Sequence, residues 1–291
     1  MAEVSRIKMV ALDLDGTALN SHHELSTKTI AMLRSLSSKG VLVTLATGRS
    51  VRDIQKYLEV LRLPQSTTPC VGYNGAYAVV FKGEGGEYHE KVSVFASPLA
   101  EESTKKLLEF AQEKGLVAQY YNGDIGEVIA APKTDEHRIL LQRYAELTGR
   151  PQLLAPYSAQ TIPSAKMLLM TNDADLLIAQ ATATFPTEFH IIRGSPEPYF
   201  VEFLQPGVSK GVALQALCDY LGIVPFEVAA FGDGDNDKEM LQFAGMGVAM
   251  KNAKDAAKAA ADITIEWTND EDGVALQLEA MEKQGLFCID A

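Results

Sequence analysis

The chain has 291 residues, 47% of them hydrophobic and 22% charged, an ordinary globular balance with room for one large domain or two modest ones. A net charge of −12 argues against a nucleic-acid partner, which needs a basic face, and no apolar run has the length of a membrane span. The opening stretch MAEVSRIK holds no apolar signal core, and Cys70, Cys218 and Cys288 show neither disulfide nor metal-ligand spacing, so a reducing cytoplasmic setting is expected.

In chain order, residues 7–12 read as a short buried strand running into Asp13-Leu14-Asp15-Gly16-Thr17. Residues 26–38 read as a helix, capped by Ser26, striped by Ile30, Leu33 and Leu36, and ended by Gly40. Val41 to Ala46 is a continuous apolar strand, Ser50 to Leu61 a helix closed by Pro64, and Val71 begins a third strand that leads through Asn74-Gly75 to Tyr77–Val80. Unbroken apolar strands alternating with amphipathic helices predict a doubly wound parallel sheet covered on both faces. The pattern then changes. A Gly-rich turn lies within residues 82–91, and residues 98–206 carry helical stretches near 98–114 and 173–184. Short strands such as Lys166–Met170, His190–Arg193 and Tyr199–Leu204 lie around them, an α+β insert. After Pro206-Gly207 the first pattern resumes, with helices at 209–221, 236–243 and 252–261 and from about 273, and strands VAAFG, GVAM and ITIE. The expected organisation is an α/β core from 1–84 and 207–291, split by an inserted α+β cap domain at 85–206.

In open parallel sheets ligands bind beyond the carboxyl ends of the strands. Collected there are Asp13 and Asp15, then Thr47-Gly48-Arg49, then Gly232-Asp233-Gly234-Asp235-Asn236-Asp237, with Ser209-Lys210-Gly211 opening a helix. Carboxylates converging on one sheet edge repel one another, and a divalent cation resolves the conflict. Hard oxygen ligands without His or Cys favour Mg²⁺ over zinc. Each motif alone has an ordinary structural explanation: Asp-x-Asp-Gly is most often a turn, and Thr-Gly-Arg a strand-to-helix connection. An EF-hand at 233–237 fails, because Lys238 stands where glycine is required and Ala244 where glutamate is. Ser209-Lys210-Gly211 lacks the leading glycine of a phosphate loop. All four in order, each at a strand end or helix start, favour a catalytic site.

The set resembles the haloacid dehalogenase superfamily, in its Cof-type branch of phosphatases with a large inserted α/β cap. DLDGT, ATGR, SKG and GDGDND match its four motifs in order, and YNGA at 73–76 and GVAMKNA at 247–253 match secondary patterns of the branch. Ala18 departs from the leucine usual after the threonine.

The resemblance implies an enzyme hydrolysing phosphomonoesters of small metabolites, such as sugar phosphates, with Mg²⁺. Asp13 would attack phosphorus and carry an aspartyl phosphate, while Asp15 would protonate the leaving alcohol and then deprotonate water. Metal ligands would be Asp13, the backbone carbonyl of Asp15, and Asp233. Thr47 with the Gly48 backbone, the Leu14 amide and Asn236 would hold phosphoryl oxygens. Lys210 would neutralise their charge and keep Asp13 ionised, with Asp237 orienting Lys210. Arg49 and Asn74 are expected to touch substrate, and the insert to close over the site and select the leaving group. His22 and His23 read as solvated loop residues, Trp267 as packing, and Lys251 to Lys258 as a solvated helix face. A phosphomutase of phosphomannomutase type is the alternative enzyme, and a non-catalytic metabolite-binding protein the alternative class.

Overall fold

Met9–Leu12 (β1) has no solvent exposure at any residue, which is what a strand covered on both faces requires. The structure, a computed structural model, describes residues 7–123, 126–148, 150–160, 162–194 and 199–289. It forms two units, Met1–Ala96 with Ser209–Ala291, and Ser97–Val208. From β1 the chain enters Thr27–Ser38 (α1), where Ser26 Oγ accepts the Thr29 amide at 3.0 Å and Met32, Leu33 and Leu36 are buried on one stripe. Leu42–Ala46 (β2) pairs parallel with β1, Met9 opposite Leu42. Val51–Leu61 (α2) starts under Ser50, whose Oγ accepts the Asp53 amide. Thr67–Gly72 (β3) begins ahead of the expected Val71. The β2 ladder opens only at Leu45 opposite Cys70, so Pro69 lies before it and removes no donor from that pairing. Tyr77–Glu84 (β4) and Glu87–Ala96 (β5) then add antiparallel strands to the same sheet. The boundary expected at 84/85 therefore falls later, because the second arm of this hairpin is hydrogen-bonded into the first unit.

The second unit runs through Glu101–Glu113 (α3), Val117–Asn122 (β6), Glu127–Ala130 (β7), Asp135–Thr148 (α4), Leu153–Leu154 (β8), Ser164–Met170 (β9), Ala174–Thr184 (α5), His190–Arg193 (β10) and Phe200–Leu204 (β11). Its sheet has the order β10-β11-β9-β6-β7-β8, antiparallel except for β7 with β8. Leu107 and Phe110 of α3 and Leu177 and Ala181 of α5 pack with Tyr120, Met167 and Phe203 of the strands. Helix α4 was absent from the sequence expectation. Its buried stripe, His137, Leu140, Leu141 and Tyr144, has helical spacing but sits in a segment rich in charge.

The first unit resumes with Lys210–Leu221 (α6), capped by Ser209 Oγ on the Val212 amide and ended by Gly222 in the left-handed region. Val228–Gly232 (β12), Lys238–Phe243 (α7), Met246–Ala249 (β13), Asp255–Ala260 (α8), Ile263–Thr264 (β14) and Gly273–Lys283 (α9) follow. Helix α8 starts three residues later than the expected 252, because Lys251 and Asn252 form a turn. The sheet order is β14-β13-β12-β1-β2-β3-β4-β5, with every neighbour parallel from β14 to β3. The chain steps from β1 out to β5 and later returns on the other side of β1 at β12. That reversal is a topological switch point, where the crevice of a doubly wound sheet opens. No helix among the described residues is long and apolar enough to cross a membrane.

Candidate active site

Asp13 and Asp233 are the residues that follow β1 and β12, so the switch point places them side by side. The Asp13 amide extends the ladder to Phe231 O at 3.0 Å, and the residue is buried. The fully buried Lys210 at the start of α6 donates from Nζ to Asp13 Oδ1 at 2.6 Å and to Asp237 Oδ1 at 2.7 Å. Asp237 Oδ2 accepts the Asp233 and Gly234 amides at 2.9 and 2.8 Å. Thr17 Oγ1 donates to Asp233 Oδ1 at 2.9 Å.

Carboxylate oxygens of Asp13, Asp233 and Asp237 all lie within 4.8 Å of one another. One lysine cannot neutralise three carboxylates, and the titrations reflect this. Burial first and the Asp237 charge next push Asp13 well above the usual carboxylate range, against the pull of Lys210. Burial and then Asp237 push Asp233 up to about 6. Burial alone would lower Lys210, but Asp13 and Asp237 hold it above its ordinary value, so it stays an ammonium. Both Asp237 oxygens are already committed to Lys210 and two amides. Asp13 and Asp233 are left as the side chains fitted to a hard cation, and an all-oxygen donor set with crowded negative charge suits Mg²⁺.

Asp15 lies apart from this cluster. The chain turns after Asp13, Leu14 O accepting the Leu19 amide at 2.8 Å and the Leu14 side chain being buried. Asp15 accepts Arg49 Nε on Oδ2 at 2.7 Å and Arg49 Nη2 on Oδ1. His23 Nδ1 is 3.0 Å from Asp15 Oδ1. Burial alone would raise the Asp15 carboxyl, but the Arg49 hydrogen bonds and charge, then His23, hold it below its ordinary value. Arg49 is thus engaged by the protein itself, with its guanidinium 5.3 Å from the Tyr57 ring centre. His23 is the exposed loop residue read from sequence, and from a backbone φ of 60° it also reaches Asp15.

The remaining predicted residues form a third chain of contacts. Thr47 is buried and its Oγ1 accepts the Arg49 amide at 3.2 Å. Asn74, buried with φ of 55°, donates its amide to Thr47 O and accepts Asn236 Nδ2 on Oδ1 at 2.8 Å. Its side chain lies against Gly48, where a Cβ would stand 3.0 Å from Asn74 Oδ1. Gly75, at φ of 103°, explains the YNGA stretch: a Cβ there would lie 2.1 Å from Ser209 O, at the cap of the helix that carries Lys210. Sequence reasoning gave no role to Thr17, His23 or Asn252. Thr17 and Asn252 stood inside quoted stretches, DLDGT and GVAMKNA, whereas His23 carries no signal but its place in a loop.

This arrangement has a known setting. The haloacid dehalogenase-like hydrolase family model matches residues 10–278, and the chain belongs to that family. It is 31% identical over 278 residues to the 5-amino-6-(5-phospho-D-ribitylamino)uracil phosphatase YitU of Bacillus subtilis, covering 92% of this chain and 94% of that protein. It is 28% identical to the HMP-PP phosphatase of Cronobacter sakazakii, over 84% of this chain and 85% of that one. A haloacid dehalogenase-like hydrolase structure from Bacteroides thetaiotaomicron matches with a TM-score of 0.80 at 32% identity, covering 95% of this chain and 100% of that chain.

Proposed function

We propose that the protein is a cytoplasmic, Mg²⁺-dependent phosphatase that hydrolyses phosphomonoesters of small metabolites, sugar phosphates or similar compounds, through an aspartyl phosphate on Asp13. The observation that carries this reading is the buried Asp13 carboxylate, fixed by Lys210 at 2.6 Å beside Asp233 at the switch point. The relatives' names support the substrate class, since both are phosphatases of phosphorylated small molecules.

Mg²⁺ held by Asp13, Asp233 and the Asp15 carbonyl would supply charge to the phosphoryl oxygens and orient them. Lys210 keeps Asp13 Oδ1 hydrogen-bonded, so the other oxygen, Oδ2, is the one assigned to attack phosphorus in line with the leaving oxygen. Asp237 holds Lys210 in place, and its grip on the Asp233 and Gly234 amides fixes the loop beneath the phosphoryl group. Thr47 Oγ1, the Gly48 and Leu14 amides and Asn236 are assigned to phosphoryl oxygens. Asn74, whose side chain is bonded to Asn236, acts by orienting it.

Asp15 is assigned the proton: taken up from solvent once the carboxylate is freed from Arg49, given to the leaving oxygen, and taken again from the water that opens the aspartyl phosphate. Its fork with Arg49 must open for that. Substrate oxygens are the competing acceptors for a guanidinium, which gives Arg49 contact with substrate as Asp15 is released.

A screen of phosphorylated metabolites with Mg²⁺, reading free phosphate, tests the reading. Release of phosphate that chelator abolishes and Mg²⁺ restores is expected. Full turnover in excess chelator refutes the metal role. Phosphate retained on an isomerised product, with dependence on a bisphosphate activator, would make the enzyme a mutase.

A further inference from the structure

The segment Met250–Lys254 lies between the two loops that carry the proposed ligands. On one side it grips the Asp233 loop by two backbone hydrogen bonds and by an ion pair, Lys254 Nζ lying 3.5 Å from Asp235 Oδ2. Met250 N donates to Gly232 O at 3.1 Å and Lys254 N to Asp233 O at 2.8 Å. On the other side a single side chain reaches the loop after β1: Asn252 Nδ2 donates to Gly16 O at 2.8 Å, one residue beyond Asp15. Asn252 Oδ1 accepts the Asn269 amide at 3.1 Å, and Asn269 Nδ2 donates to Leu19 O at 2.9 Å. Asp270 Oδ1 accepts the Ser21 amide at 2.7 Å. The loop is held at Gly16, Leu19 and Ser21.

We infer that Asn252, supported by Asn269, is a positioning residue that sets the distance between the Asp15 carbonyl and the Asp233 carboxylate, and thereby the preference for Mg²⁺ over a larger cation. The inference rests on the metal reading above. The two loops have little slack where they meet. Gly16 has φ of 80°, and a Cβ on it would stand 2.4 Å from Asp233 Oδ2. Thr17 Oγ1 is bonded to that same carboxylate. Thr17 sets the closest approach, and Asn252 ties the same loop back to the segment that grips Asp233. Mg²⁺ demands near-ideal octahedral distances of about 2.0–2.1 Å, whereas Ca²⁺ accepts longer and irregular ones of about 2.3–2.6 Å. Loosening one ligand loop against the other therefore weakens Mg²⁺ more than Ca²⁺. Asn252 is exposed and outside the carboxylate cluster, so its loss acts through loop spacing and leaves its former partners to water.

The test is calorimetric titration of metal-free wild type, Asn252→Ala and Asn269→Ala with MgCl₂ and with CaCl₂, alongside melting of the metal-free proteins. Asn252→Ala should raise the Mg²⁺ Kd roughly tenfold, the low end for residues that orient metal ligands. Its Ca²⁺ Kd should move less, so the Mg²⁺/Ca²⁺ preference falls, while its melting temperature changes little. Asn269→Ala, which keeps the backbone amide bonded to Asn252, should shift the preference the same way by less. A purely structural role would lower the melting temperature and leave the cation preference alone. A wild type that binds Mg²⁺ beside an Asn252→Ala protein with both Kd values within about twofold of it overturns this inference alone. A wild type that binds no Mg²⁺ overturns the metal reading and this inference with it.

Discussion

Replacing Lys210 by methionine keeps the volume of the side chain and removes its charge. The ammonium sits 2.6 Å from Asp13 and 2.7 Å from Asp237, and the three side chains are 0%, 8% and 0% exposed. Without it Asp13 and Asp237 remain buried beside Asp233 and lose the ammonium that bonds to both. Breaking a buried pair from one side costs about 3–5 kcal/mol, which a domain of ordinary stability survives. The pH dependence has a definite sign. Asp13 already lies above the usual carboxylate range in the folded protein, through burial first and Asp237 next, and loss of Lys210 raises it further. A carboxyl whose folded value exceeds its unfolded value stabilises the fold while protonated, and that contribution is lost as pH rises through the folded value. The deficit of Lys210→Met against wild type should therefore widen as pH is raised from the acid side through the folded wild-type Asp13 value. Urea unfolding of the metal-free proteins across that range measures it. A deficit under about 1 kcal/mol at neutral pH, or one that shrinks as pH rises, refutes the reasoning from the buried pair.

Asp233→Ala should abolish Mg²⁺ binding in calorimetry while the circular dichroism of the fold is retained, because the residue follows β12 rather than filling the core. Asp15→Asn keeps the backbone carbonyl, so Mg²⁺ should still bind. Turnover of alkyl phosphates should fall roughly 10²–10⁴-fold, and aryl phosphates should be partly spared at the first step in rapid-quench kinetics. Gly75→Ala should lower both stability and turnover by driving a Cβ toward Ser209 O and displacing the start of α6. Gly207→Ala has a similar φ of 77° and open space, so comparing the two melting temperatures isolates the clash from the backbone strain.

The strands that build the switch point were legible because β1, β2 and β12 are unbroken apolar runs ending in polar residues, a pattern that only a doubly covered sheet explains. The cap at Ser26 was an equally local signal, whereas Ser50 and Ser209, read as the first residues of their helices, stand one position before them as caps. Helix α4 was lost because charged residues surround its buried stripe, and the second arm of the β4–β5 hairpin was given to the insert because its residues alternate without a strong apolar face. At the site, the convergence of Asp13, Lys210, Asp233 and Asp237 follows from their places at strand ends and a helix start. The pairing of Arg49 with Asp15 did not, since both were read as facing substrate and no spacing rule brings together side chains from two different loops. The His23 contact depends on a left-handed backbone at a non-glycine residue, and Asn252, though inside the quoted GVAMKNA stretch, makes a contact spanning most of the chain that the stretch does not encode.

The central claim is that Asp13 carries the phosphoryl group. Acid quench of the enzyme during turnover of a phosphomonoester with Mg²⁺, followed by peptide mass spectrometry, reads it directly. The account predicts phosphate on the peptide containing Asp13, absent from an Asp13→Asn protein whose turnover has fallen to background. Phosphate on another residue, or an Asp13→Asn protein that still turns over substrate at near wild-type rate, would contradict it.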